Sequence, residues 1–100
     1  MISKFQGETI KKEIEVFNAD KTPADLTGCE VTAGLTQGTT VRLTPTITGN
    51  VVSIRIEDTS TMLGIYELEI KLKDTTQDID VISFEQIYVR KSNIPNFTVI

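Results

Sequence analysis

The sequence predicts an all-β antiparallel sandwich of about seven strands, built as a single domain. Three observations carry that expectation. β-Branched residues dominate, with 15 Thr, 13 Ile and 8 Val in 100 residues; stiff at the first side-chain torsion, they suit a pleated, half-buried surface better than a helix. Apolar and polar residues alternate with period two along most of the chain. Turn residues break that alternation roughly every ten positions, as they do between the short strands of a sandwich. A chain of this length supports one core, with folding expected to bury roughly 65% of the surface exposed by the unfolded chain.

The elements follow in order. "TIKKEIEVF" places Ile10, Ile14 and Val16 on one face, where Lys12 intrudes; a charge on an inward face suggests an edge position or a barrel-like curl, where the stem can snorkel. "CEVTAGLT" turns Cys29, Val31, Ala33 and Leu35 inward. Gln37-Gly38 makes a hairpin turn into "TVRLT", whose Val41 and Leu43 are expected to face the core. Gly49-Asn50 is a second tight turn, with glycine first, leading to inward Val52, Ile54 and Ile56. "DTSTML" breaks the alternation, and Asp58 is placed to cap one short helical turn over 58–63 that closes at Gly64. In "IYELEIKLK", Tyr66, Leu68, Ile70 and Leu72 share the buried face, while Ile65 joins the charged residues on the other. "DTTQD" is a polar loop. In "IDVISFEQIYVRK" the apolar set changes phase, and a β-bulge between Phe84 and Ile87 is expected to cause it.

Tyr66 sharpens the prediction to an immunoglobulin-like sandwich. It follows a corner at the start of the penultimate strand, two residues before inward Leu68, where a tyrosine corner stands relative to the second core cysteine of such domains. The same spacing also suits a plain aromatic on a buried face. The expected core contains Val16, Leu26, Val31, Leu35, Ile54, Ile56, Tyr66, Leu68 and Ile70.

Composition sets aside several functions. The net charge of −4 repels a phosphate backbone, and the basic residues are scattered, so nucleic acid is not an expected partner. No apolar run has the length of a membrane span, and "MISKFQGETI" lacks the basic-then-apolar order of a signal peptide, which points to folding in a cytosol and no membrane partner. Cys29 is a lone cysteine and reads as a small core hydrophobe. There is no histidine, and no Ser or Cys stands near an identifiable base, so no catalytic residues and no enzyme activity are expected. Asp74, Asp78 and Asp80 are the densest carboxylates, but they lack the glycine and bidentate glutamate of a calcium-binding loop and read as solvated; no metal or cofactor is expected.

The order of the turn signals resembles one family, the N-terminal Ig-like domain of phage baseplate upper proteins. The resemblance spans nearly the whole chain. It rests on Gly7-Glu8-Thr9, on Phe17 and Asp20 before "PADLTG" (Pro23 to Gly28), on Gly49 before "VSIRI", and on "DTSTMLGIYELEI" from Asp58 to Ile70. "PADLTG" reads as a structural device: Pro23 fixes an extended start, Asp25 and Thr27 tie down turn amides, Leu26 plugs the end of the sandwich and Gly28 permits the sharp turn into the next strand. Lys21 departs from the pattern, standing where such turns often carry Gly.

The resemblance implies a non-enzymatic structural or assembly protein of a virion, in a tail, baseplate or capsid accessory position, made in the bacterial host cytoplasm. Its implied partners are other virion proteins and further copies of itself. Resembling proteins continue into receptor-binding or fibre segments, whereas only "SNIPNFTVI" follows here, so receptor binding is not carried over. The alternative is a carbohydrate-binding or host-surface adhesion module, which would want exposed rings for stacking; the chain has no Trp, and Tyr88 is the outward ring. The expected organisation is a sandwich over 1–93 and a C-terminal arm over 94–100. Pro95 stops the last strand, and Phe97, Val99 and Ile100 are β-prone candidates for contact with a neighbour.

Overall fold

The computed structural model describes residues 1–93 and contains eight strands. They are β1 (Ile2–Phe5), β2 (Ile10–Glu15), β3 (Glu30–Gln37), β4 (Thr39–Leu43), β5 (Thr46–Thr48), β6 (Val51–Ile56), β7 (Gly64–Lys73) and β8 (Ile79–Arg90). Five form one sheet in the order β1-β8-β7-β3-β4, and three form the other in the order β2-β6-β5. All pairings are antiparallel except β1 with β8. Setting β2-β6-β5 against β8-β7-β3-β4 is the Greek-key order of an immunoglobulin-like sandwich, with β7 in the place of its penultimate strand.

Local chemistry accounts for the turns. Gly38 alone separates the paired residues Gln37 and Thr39, at φ +74°. Gly49 at φ +60° followed by Asn50 joins Thr48 to Val51; a positive φ at the first central residue only is the type II′ hairpin, which matches the twist of its strands. The helical turn expected at 58–63 takes the form of a single hydrogen-bonded turn, Met62 N–H to Thr59 C=O at 3.1 Å, and no helix occurs among the described residues.

The core has two halves. In one, Ile10, Leu35, Met62, Leu68, Ile87 and Val89 are buried together; in the other, Leu26, Ala33, Val52, Ile54, Ile70 and Leu72. Leu43 and Ile56 pack against both. Of the expected core, Leu26, Leu35, Ile54, Leu68 and Ile70 are buried, while Val16, Val31, Ile56 and Tyr66 lie half-buried against these clusters. Cys29 is a free, half-buried thiol packed on the second cluster.

Two features depart from expectation, the burial of Val41 and the position of the β8 bulge. Val41 is paired with inward Leu35 and so points the same way, yet on the edge strand β4 it stays 58% exposed, while Leu43 of the same strand packs against both core halves. On β8 the register shifts opposite Ile70 and Lys71, which pair with Ser83 and Val81 and leave Ile82 as the extra residue. The bulge thus lies at Ile82 rather than between Phe84 and Ile87, and it turns Phe84 outward and Glu85 inward.

Lys12 meets that inward Glu85. β2 is an edge strand, and the Lys12 ammonium crosses the sandwich to lie 2.7 Å from Glu85 Oε2, at the seam between the two core halves. Oε2 has no other polar partner; the contact is a close charge pair without a well-directed hydrogen bond. Paired charges pointing inward from two strands with open edges disfavour the addition of a further strand.

Candidate functional site

The motifs quoted from the sequence fall at opposite ends of β7. At the Gly64 end, the chain crosses between sheets twice, from β1 to β2 through Gly7-Glu8 and from β6 to β7 through Asp58–Leu63. Thr59, fully buried, joins the two crossings: its hydroxyl accepts the Gly7 N–H at 2.9 Å and donates to the Glu8 carbonyl at 2.7 Å. Gln6 Nε2 adds a bond to the Met62 carbonyl at 2.9 Å. Beside them Asp58 Oδ1 accepts the Ser60 N–H at 3.3 Å, an Asx-type turn in place of a helix cap, and the Ser60 hydroxyl at 2.7 Å.

Tyr66 completes this end. Its hydroxyl accepts the Leu63 N–H at 3.1 Å, three residues back, which is the bond that defines a tyrosine corner. Gly64 sits at φ +94°, and a Cβ there would lie 2.9 Å from Gln37 Nε2, the group that donates to the Leu63 carbonyl at 2.7 Å.

At the other end lies the bend from Phe17 to Gly28. Asp25 Oδ1 accepts the Thr27 N–H at 3.0 Å, the Cys29 N–H reaches the Leu26 carbonyl at 3.0 Å, and Leu26 is buried. Gly28 has φ +80°, with Thr75 3.1 Å from where a Cβ would stand. Pro23 bridges to Phe17, closing a turn in which Lys21 takes φ +70°. That left-handed conformation costs a non-glycine residue roughly 1 kcal/mol. Lys21→Gly is therefore expected to raise stability by about 0.5–1 kcal/mol, less the backbone freedom that glycine adds to the unfolded chain, as read by chemical denaturation.

An open hollow of about 520 Å³ lies between this bend and the β5–β6 turn, lined by Pro23–Thr27, Ile47, Gly49 and Asn50. Its one carboxylate, Asp25, is engaged in the turn, and no aromatic ring lines it for stacking against a sugar. In the β7–β8 loop, Asp74 Oδ1 accepts bonds from the Thr76 hydroxyl at 2.7 Å, the Thr76 N–H at 2.9 Å and the Asp78 N–H at 3.0 Å. The carboxylate organises a turn. Among the described residues no group of three or more metal-ligating side chains converges.

Four aspartates in turns share this capping role. Hydrogen bonds from the Thr22 hydroxyl to Asp20, the Thr27 amide to Asp25, the Ser60 hydroxyl to Asp58 and the Thr76 hydroxyl to Asp74 hold each carboxyl below the ordinary 3.8. The charged forms thus favour the fold, and their contribution is present above that value and lost as pH falls through the lower folded values. The melting temperature is expected to begin falling below about pH 4 through these groups, and Asp74→Ala is expected to flatten that acid limb.

The remaining feature is the outer face of the five-stranded sheet. On the outer face of β8, Ile79, Val81, Phe84 and Tyr88 form an exposed, mainly apolar stripe interrupted by Gln86 between the last two, and exposed Ile65 on β7 and Phe5 on β1 flank it. Tyr88 and Ile65 are outward as expected from the alternation. Arg90 lies over the Tyr88 ring at 5.2 Å. Thr59 and this stripe are what sequence reasoning missed: Thr59 stands in a polar run with no periodicity, and the bulge at Ile82 hides the phase of the stripe. The candidate contacts Phe97, Val99 and Ile100 lie outside the described residues.

No family model, no curated protein and no solved structure matches this chain.

Proposed function

We propose that the chain is a non-enzymatic assembly module of a phage particle, an Ig-like building block of a tail, baseplate or capsid accessory structure that acts through protein–protein contacts. The observation that carries this reading is the apolar stripe on the outer face of the larger sheet. Large exposed apolar patches on a folded domain mark places where other surfaces dock. The resemblance adds weight, because its separate motifs do connected physical work: Gly7-Glu8 and Asp58-Thr59, some fifty positions apart, are joined through one hydroxyl, and Tyr66 closes the same corner. Synthesis in a bacterial host and residence in the virion follow from this reading.

The test is co-purification. The tagged chain, expressed in the phage-producing host, is expected to bring down particle structural proteins. A chain that purifies alone and binds polysaccharide as a monomer would instead establish the adhesion alternative.

A further inference from the structure

We infer that the outer face of the five-stranded sheet is self-complementary and receives a second copy of this chain, packed face to face with its strands antiparallel. The inference deepens the assembly reading and rests on it for its biological use. Outward residues along β7 run Ile65, Glu67, Glu69, Lys71, Lys73, so that half of the strand is acidic and half basic. Beside it, β8 carries the apolar stripe, with Phe84 level with Glu69 and Val81 level with Lys71.

Two-fold symmetry about an axis lying across the strands, between the levels of Glu69 and Lys71, brings Glu69 of one copy to Lys71 of the second and Glu67 to Lys73, each pair formed twice. The same operation lays Phe84 over Val81 of the second copy, so the apolar contact and the charge pairs form in one register. An axis along the strands would set Glu67 and Glu69 level with themselves and is disfavoured by like charge. Within one copy Glu69 and Lys71 are 3.6 Å apart, an exposed pair that is free to exchange partners.

Association through the face rather than an edge fits the rest of the molecule. β5 is three residues long and follows Pro45, while β2 and the stretch of β8 beyond β1 carry the inward charges Lys12 and Glu85 and the bulge at Ile82.

Sedimentation of the purified full chain over a range of concentrations tests this. A concentration-dependent dimer is expected, weakened at least ten-fold by Phe84→Asp with the melting temperature of the dilute monomer unchanged. The double variants Lys71→Glu/Lys73→Glu and Glu67→Lys/Glu69→Lys should each be monomeric alone and should associate when mixed. A wild-type chain that stays monomeric throughout, or charge variants that fail to associate on mixing, would overturn the inference. If the chain is monomeric yet co-purifies with particle proteins, the self-contact fails while the assembly function stands; a dimer that recovers no particle proteins has the reverse meaning.

Discussion

Replacing Leu68 by Ala is expected to destabilise the protein by about 2–5 kcal/mol, the range for deleting a buried leucine from a packed core. Leu68 has no exposed surface and belongs to the core half formed with Ile10, Leu35, Met62, Ile87 and Val89. It lies in the centre of the larger sheet, paired to Leu35 on β3 and Glu85 on β8, where neighbouring strands restrict collapse into the cavity. It also stands two residues after the corner tyrosine, at the position that a core cysteine occupies in disulfide-bonded Ig domains, so apolar packing there replaces a covalent staple. Urea denaturation measures the loss. A midpoint equal to that of the parent would mean that β7 presents its other face to the core.

The second large effect is expected at Thr59. Thr59→Val keeps the shape and removes the hydroxyl, leaving the Gly7 N–H and the Glu8 carbonyl without their shared partner in a partly buried place. Each such group left unsatisfied costs on the order of 1–3 kcal/mol. Because the two groups lie on the β1–β2 crossing and Thr59 on the β6–β7 crossing, the loss should also loosen the attachment of β1. Amide exchange of β1 is therefore expected to accelerate more than that of β3. Thr59→Ser, which retains the hydroxyl, should recover most of the stability.

Much of the fold was legible because alternation and turn chemistry agree. The faces of β3, β6 and β7 and the glycine turns at 38 and 49 could each be read from local spacing, since a period of two permits only two faces and a positive φ has few suitable residues; for Tyr66 the spacing suited a tyrosine corner and a plain buried aromatic alike, and the bond from the Leu63 N–H to its hydroxyl decides for the corner. The β8 phase was not legible in full. A bulge adds one residue without changing the composition, so nothing local distinguishes an extra residue at Ile82 from one nearer Ile87. Lys12 was readable as a charge intruding on an inward face, at an edge or at a curl, but its partner Glu85 lies 73 positions away and became inward only through that bulge. Thr59 was hidden for the same kind of reason, because its burial depends on a distant crossing rather than on its neighbours.

The assembly reading meets its most direct test in the protein content of density-gradient-purified particles from cells that produce this chain. The chain is expected to be present at a fixed ratio to the other structural proteins and to stay bound through a high-salt wash. Its absence from the particles, with the chain found only free in the lysate, would contradict that reading.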